Sequence, residues 1–463
     1  MNAIIITAVW GVIMMLAGAF VRDKKMPVYM AVAGLLAAIA VAALELRNGA
    51  PLFHIGIKDM LHTNSFNLTF IVVVLGCSLL YFLLNGMDLE KVGPHISEYF
   101  ALLFFILCGV CIVATFNTLL MLFIGIEIIS IPLYILTGSD KRNLKSNEAA
   151  LKYFLMGSFS TGIMLLGIAF LYGGNEMGTF FINGFNIGQG KLPPMIAVGL
   201  VLLMVSMSFK VSAAPFHFWT PDVYDGAPTV FTSFMASIVK VASFFAFVRL
   251  FENSFGTIQS QWQTLIAVIT AATLIIGNLT AVFQQSVKRM LAYSSIAQAG
   301  FMLLALFALN ETAKEGIVLY AAAYSLASIG LFAVLVRMKD YTVEGFNGLA
   351  SQQPLAALTV TIFLLSLTGI PLTAGFQAKF YMLWAAIQNG HHIWLVILAV
   401  LCAAISAYYY FRIIQAMYFR EATSTEPNTE EMGWFFKAML ILTAFLLITL
   451  GIFPDFLIDW LHY

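Results

Sequence analysis

Charged residues are scarce in this chain of 463 residues, since only 10% are Asp, Glu, Lys or Arg while 61% are hydrophobic. The mean hydropathy is +0.92. An ordinary water-soluble protein carries about 25% charged residues, so the composition excludes that class. The sequence also lacks a low-complexity tract, a nucleotide-binding fingerprint and a polar segment long enough for a soluble domain. We therefore expect any redox cofactor to be bound by another chain, and no nucleic-acid partner.

Cysteine is sparse as well, with four residues in the chain. Cys108 and Cys111 form a CxxC motif, but it lies within the apolar run LLFFILCGVCIVATF. A zinc or iron–sulfur site needs a second cysteine pair or nearby histidines, and neither accompanies this motif. We interpret both cysteines as helix-packing residues and predict no metal site.

Long apolar runs are what the sequence has instead. About fourteen of them approach the ~20 residues that a helix needs to cross ~30 Å of hydrocarbon. Their approximate cores are 1–20, 27–46, 65–84, 98–116, 118–137, 148–172, 194–219, 229–250, 259–283, 290–309, 315–338, 354–388, 392–418 and 435–454. The first run lacks a basic n-region and a cleavage site, so it is predicted to be a retained helix. The pattern predicts one all-α polytopic membrane domain, 1–463, whose helices lie in a lipid bilayer.

Basic residues are distributed unevenly between the two sides that these runs define. One side holds Arg22, Lys24, Lys25, Lys91, Lys141, Arg142, Lys145, Lys288, Arg289, Arg337, Lys339, Arg420 and Lys437. The other side holds Arg47, Lys58, Lys191 and Lys314. Because cytoplasmic loops carry the excess of Lys and Arg, the first side is predicted to be cytoplasmic and both termini external.

Two runs look broken rather than straight, because each contains helix-breaking residues. The seventh has Pro215 shortly after Lys210, and the twelfth, about 33 residues long, has Gly369 and Pro371 before Lys379. Proline frees backbone carbonyls, and interrupted helices in corresponding halves are typical of transporters built from repeats. The twelfth run comes five runs after the seventh, which favours a five-helix inverted repeat.

Four ionisable residues lie inside these apolar runs: Glu127, Lys210, Lys240 and Lys379. A charge at bilayer depth costs roughly 2.5–3.5 kcal/mol on insertion scales, so such residues are typical of ion or proton paths. Glu127 could instead form a packing hydrogen bond, and a lysine near a helix end can extend to water. That second alternative fits Lys240 poorly, because about ten apolar residues flank it on each side.

Further candidates lie near the cytoplasmic side. Lys152 could reach water or form a proton entry, and His217 could handle protons or be a structural histidine, since imidazole titrates near neutral pH. We assign Trp219 and Tyr224 to an interfacial aromatic belt. Asp222 is expected to cap or brace the loop before the eighth run.

Five segments between about residue 120 and residue 382 carry a resemblance to a known family. They include MLFIGIEIISIPLYILTG, EAALKYFLMGS, PFHFWTPDVYDGAP, AYSSIAQAGFML and SLTGIPLTAGFQAKFYML. These resemble the subunit N family of proton-pumping NADH–quinone oxidoreductase, respiratory complex I. HFWTPDVYDGAP is the most specific of them, since more general antiporter-like relatives carry a PLHxWLPDAH-like version.

The resemblance implies an antiporter-like fold with two inverted five-helix repeats and broken seventh and twelfth helices. It divides the chain into three N-terminal helices (1–97), a first repeat (98–252), a second repeat (258–418) and a C-terminal helix (434–463). It also implies a proton path through Glu127, Lys210, Lys240 and Lys379, and a bacterial inner membrane. NADH, FMN, iron–sulfur clusters and quinone are implied on or near partner subunits of the complex, both membrane and peripheral, with no redox site in this chain.

The chain departs from the family pattern in AYSSIAQAG, where Gln298 stands at a position that many relatives give to histidine. Glutamine does not ionise, so a proton would have to pass through water or through Tyr293, Ser294 and Ser295. Two other functions remain open: a subunit of a multi-chain cation/proton antiporter, and a scaffold or quinone-binding subunit that conducts no protons.

Overall fold

The computed structural model describes residues 2–21, 23–49, 59–175, 178–185, 192–390, 392–422 and 428–462. Within these ranges the regular structure is helical. The helices are α1 (Asn2–Phe20), α2 (Met26–Asn48), α3 (Ser65–Asn85), α4 (Ile96–Thr115), α5 (Leu119–Thr137), α6 (Leu144–Gly174), α7 (Pro194–Lys210), α8 (Trp219–Gly226), α9 (Thr229–Phe234), α10 (Lys240–Phe255), α11 (Gln259–Val282), α12 (Val287–Ala308), α13 (Glu311–Leu335), α14 (Leu349–Gln352), α15 (Pro354–Thr368), α16 (Ala374–Gln388), α17 (Ile393–Phe419), α18 (Trp434–Ile452) and α19 (Asp455–Ile458). Arg22, Lys58 and Lys191, which entered the charge distribution above, lie outside the described residues.

Short polar residues between the apolar runs set where many helices begin. The side chains of Asn64, Thr118, Asn143, Ser286 and Asn310 each accept a hydrogen bond from a backbone N–H of the following first turn. Such caps satisfy donors that have no partner within the helix. These caps therefore help to define where the helices begin.

Eleven helices of the described residues are long and apolar enough to cross a membrane, and α7 and α15 are shorter apolar helices. That count treats 229–282 as one helix, although a 3₁₀ turn at Gly256–Ile258 separates α10 from α11. The all-helical membrane fold is confirmed, whereas the number of fourteen spans stays a prediction.

The bundle is built around α13, which is buried along its length and packs against α3, α12, α15 and α16. Outer helices expose large apolar side chains such as Phe159, Phe419 and Phe435. A surface of this kind is suited to lipid, because hydrocarbon offers no penalty to apolar groups. Small residues bring some helices close: a Cβ at Gly199 on α7 would lie 3.0 Å from the carbonyl oxygen of Gly167 on α6.

Both predicted interruptions are present. The helix of the seventh run, α7, ends at Lys210, and the non-helical segment 211–218 separates it from α8. The twelfth run forms α15 and α16, separated by 369–373. A third irregularity was not predicted: a π-helical turn, Met235–Val239, joins α9 to α10 directly before Lys240. Single π turns inside α-helices are frequently found at functional sites.

Candidate functional site

Glu127 and Lys210 approach each other from α5 and α7. The Lys210 Nζ donates a hydrogen bond of 3.0 Å to the hydroxyl of Ser130, which lies one helical turn after Glu127. The amine is also close enough to Glu127 for the two charges to attract each other. No ion pair joins the two charges in the described part of the chain. The Glu127 Oε1 is buried without a hydrogen-bond partner. The carboxylate is thus free to gain a partner if the lysine shifts along this face of α5.

Lys152 lies at the side of the bundle where α5 ends and α6 begins, which we call the basic face. Its Nζ forms ion pairs with Glu148 at 2.7 Å and Asp222 at 2.8 Å, and Asp222 also binds Arg289 at 3.2 Å. The hydrogen bond from Lys152 is the main cause that lowers the pKa of Asp222 below its ordinary value. These residues line an open polar pocket with Lys145, Asp225 and Gly226. Asp222 therefore braces α8 against α6 and α12, and Lys152 is water-accessible.

Two aromatic residues of α8, Trp219 and Tyr224, are buried. Trp219 and Tyr224 are only 5% and 2% exposed, so the assignment to an interfacial belt is wrong. The Trp219 ring stacks on Tyr153 with centroids 4.8 Å apart, and its Nε1 donates to the Phe209 carbonyl. His217 is buried too, and its Nδ1 has no hydrogen-bond partner.

Lys240 is enclosed by protein, with 2% of its surface exposed. Its Nζ donates to the Ser295 carbonyl oxygen at 2.6 Å and to the Ser295 hydroxyl at 2.7 Å, both on α12. A buried amine needs such acceptors, because an unpaired buried charge is very costly. The lysine does not extend to water at a helix end.

Gln298 lies three residues after Ser295 and so on the same side of α12. Its Nε2 donates to the Leu367 carbonyl oxygen at 2.8 Å and to the Tyr410 hydroxyl at 3.3 Å, while its Oε1 accepts a hydrogen bond from Tyr320. The Tyr410 hydroxyl also pairs with Ser294. Gln298 thus links α12 to α13, α15 and α17, although its side chain cannot ionise.

Lys379 sits at the interruption between α15 and α16. Its Nζ donates to the carbonyl oxygens of Leu367 at 2.8 Å and Thr368 at 2.9 Å, and lies 4.5 Å from the centroid of the Phe301 ring. The broken helix frees these carbonyls, and the ring adds a cation–π contact. Lys379 is buried, with 6% exposure, so it too does not reach water along its own helix.

The Leu367 carbonyl oxygen accepts from both Gln298 and Lys379. Beside it, a small cavity offers about 10 Å³ to the centre of a water-sized sphere, with Gln298, Tyr320, Leu367 and Lys379 among its lining residues. That is roughly the room that one water molecule needs. Hydrogen bonds therefore link Lys240 to Ser295 on one side of α12, and Gln298 shares an acceptor with Lys379 on the other. Within the described ranges, no hydrogen bond joins Ser295 to Gln298.

Two of the predicted proton-path residues, Tyr293 and Lys210, are not hydrogen-bonded to the residues between Lys240 and Lys379 in the described ranges. Tyr293 is half-buried and makes no hydrogen bond to the other predicted residues within the described ranges. No hydrogen-bonded chain links Lys210 with Lys240 among the residues that the structure describes. Among the described residues the candidates thus form separate groups: Glu127 near Lys210, Lys152 with Asp222, Lys240 with Ser295, and Gln298 with Lys379.

Sequence reasoning missed three tyrosines, Tyr320, Tyr324 and Tyr410, which surround the Ser295–Gln298 face of α12. Tyr320 and Tyr410 bond Gln298, and the Tyr324 hydroxyl approaches Ser295. Their only sequence signal is a polar group within an apolar run, which is weak because tyrosine is tolerated in membrane helices.

The sequence profile described as "NADH:quinone oxidoreductase/Mrp antiporter, TM" matches residues 116–406. The chain belongs to this family. It is 40% identical over 433 residues to NADH-quinone oxidoreductase subunit N 1 of Solibacter usitatus, covering 91% of this chain and 89% of the relative. It is 39% identical over 463 residues to NADH-quinone oxidoreductase subunit N of Cytophaga hutchinsonii, covering 99% of each.

A chain in the solved structure of respiratory complex I from Thermus thermophilus with bound aureothin has the same fold. The TM-score is 0.85 and the identity 31%, over 99% of this chain and 98% of the solved one. Together with its apolar helices, membership of this family makes the chain a multi-pass membrane protein. The predicted resemblance is confirmed.

Proposed function

We propose that this chain is a proton-translocating membrane subunit of an NADH:quinone oxidoreductase that has no redox site of its own. The near full-length similarity to relatives named subunit N supports the assignment to the complex. The single structural observation that carries proton translocation is the pair of buried lysines, Lys240 and Lys379, at either end of the Ser295–Gln298 face of α12. Neither lysine forms an ion pair within the part of the chain that the structure describes.

Glu127 and Lys210 act at the entry of the path in this proposal. Because Lys210 is held by Ser130 rather than by the carboxylate, a small shift of its side chain would make or break the charge pair. The attraction within that pair would offset part of the desolvation penalty of both charges. Opening and closing of the pair would then gate proton entry from the basic face.

From Lys240 the proton passes across α12 to Lys379. Gln298 contributes by orienting its neighbours, and a water in the cavity beside Leu367 carries the proton past it. Hydroxyl groups such as Tyr410 and Ser294 can serve the same purpose, since each both donates and accepts. Lys379 is the station from which the proton leaves toward the external side.

The remaining assignments follow from the same proposal. NADH, FMN, iron–sulfur clusters and quinone are bound by partner subunits, and quinone reduction there drives the movement of protons here. The membrane is the bacterial inner membrane, with the basic face in the cytoplasm and both termini periplasmic, as the charge asymmetry favours. The repeats 98–252 and 258–418 are inverted copies, each with a lysine beside its interrupted helix.

Purification through a tag on this chain tests the assignment. We expect flavin and iron–sulfur subunits to co-purify, together with NADH:quinone oxidoreductase activity. A complex of membrane subunits alone, with gradient-driven cation/proton exchange, would instead establish the antiporter alternative that the family description includes. Normal proton translocation after neutralising the buried lysines would leave only a scaffold role.

A further inference from the structure

The backbone adopts a left-handed conformation at Gly369, directly after α15. Gly369 has a φ of +89°, and its N–H donates to the carbonyl oxygens of Leu365 and Ser366. A left-handed residue at this position is a common way to end a helix. As a result, the next carbonyl oxygens, of Leu367 and Thr368, leave the helix and face Lys379.

Lys379 occupies the space that a side chain at position 369 would need. A Cβ built on Gly369 would lie 2.9 Å from the Lys379 Cδ, 3.6 Å from its Nζ and 3.7 Å from its Cε. The nearest of these atoms is in the middle of the lysine stem, so moving it moves the amine as well. The Phe301 ring lies against the amine, 4.5 Å from Nζ, and restricts where the stem could go.

We propose that Gly369 is a positioning residue for Lys379. This proposal rests on the proposed function of Lys379 in proton transfer. The missing Cβ lets the lysine stem lie against the end of α15 and holds the amine on the Leu367 carbonyl oxygen. That oxygen is also the acceptor for Gln298, so the amine stays next to the cavity through which the proton arrives. A methyl group at position 369 displaces the amine and separates Lys379 from Gln298.

Gly369→Ala tests this, with Gly390→Ala as its matched control. Gly390 also has a left-handed φ, +74°, but nothing lies within 4 Å of its Cβ position. Both substitutions therefore carry the backbone penalty of alanine at positive φ, and only Gly369→Ala meets a lysine. The chain is tagged, the whole complex is purified, and proton uptake per NADH oxidised is measured in proteoliposomes across a range of pH.

We expect Gly369→Ala to lower proton uptake by roughly tenfold, since a displacement of about 1 Å can cost a reactive geometry up to about 100-fold. Its pH profile should shift, while Gly390→Ala should match the unmodified complex in both respects. Equal behaviour of the two variants would overturn the proposal. In a Lys379→Ala background, Gly369→Ala should have no further effect, and a further multiplicative loss would indicate a merely structural role.

Two additional measurements cover the other outcomes. If Gly369→Ala prevents assembly, the double variant Gly369→Ala/Lys379→Ala should restore it by removing the stem, and continued failure would refute the proposal. Electron cryomicroscopy of the assembled Gly369→Ala complex should show the lysine amine away from the Leu367 carbonyl, and an unchanged position would refute it too. Normal proton uptake in Lys379→Ala alone would instead refute the proposed role of Lys379, so the two failures are distinguishable.

Discussion

Replacing Lys240 and Lys379 separately and together tests whether they are successive stations on one path. Both amines are buried, and α12 lies between them, with Ser295 holding one and Gln298 sharing the Leu367 carbonyl oxygen with the other. We expect Lys240→Ala and Lys379→Ala each to lower proton uptake by about tenfold, or about 1.4 kcal/mol in activation free energy. If the two lysines acted independently, the double variant would lose proton uptake by about 100-fold, or about 2.8 kcal/mol in activation free energy.

A single serial path predicts a different result, because the second substitution acts on a path that is already interrupted. The double variant should be scarcely worse than either single one, which corresponds to a coupling energy of about 1.4 kcal/mol. Truncation to alanine also empties buried space, and comparable truncations destabilise by about 2–5 kcal/mol. Lys→Met variants control for this loss, since they remove the amine while keeping most of the stem volume.

The assay is proton uptake per NADH oxidised by the purified complex in proteoliposomes, with assembly checked by the content of co-purifying subunits. Losses that multiply in both the alanine and the methionine series would refute the serial path. If the Lys→Ala variants lose proton uptake and the Lys→Met variants do not, the complex needs the packing of these side chains rather than their amines.

Three further outcomes are expected. Glu127→Gln should leave assembly intact and lower proton uptake by about tenfold, since only the charge is lost; normal uptake with the neutral side chain contradicts the gating role. Asp222→Asn should lower stability by at most about 1 kcal/mol at pH 7, because its ion pairs with Lys152 and Arg289 are solvent-accessible. Since the pKa of Asp222 is lowered in the folded chain, this contribution is present above the ordinary carboxyl pKa and is lost as pH falls through the lowered value; a stability difference that persists in acid, measured by thermal unfolding of the purified complex, argues against it. A cysteine at Ser139 should react with impermeant reagent only from the cytoplasmic side, and labelling only from outside contradicts the orientation.

Several features of the candidate site could be read from the sequence because each is a local exception to an apolar run. Glu127, Lys210, Lys240 and Lys379 are recognisable as charges where few are tolerated. The breaks beside Lys210 and Lys379 are likewise signalled by proline and glycine, whose backbone effects are local.

Other features depend on which helices meet, and the runs of apolar residues carry too little pattern to specify that. The outward or inward direction of Trp219 and Tyr224 could not be predicted, because aromatic residues suit both a lipid interface and a helix-packed interior. The π turn before Lys240 has no proline or glycine to announce it, since Met235–Val239 is an ordinary apolar segment. The grouping of Tyr320 and Tyr410 around Gln298 joins residues from three different helices.

The sequence by itself determined the class of the protein, its membrane helices and the buried charges, since these follow from composition and hydropathy along a single chain. Tertiary structure alone decided what each charge touches: Ser130 rather than Glu127 for Lys210, Ser295 for Lys240, and two freed carbonyl oxygens for Lys379. The physical reason is that a buried amine must find acceptors wherever packing places them. For Lys210 and Lys240 the acceptors lie 80 and 55 residues away in the chain, whereas for Lys379 they lie just across the helix break, 12 and 11 residues before it.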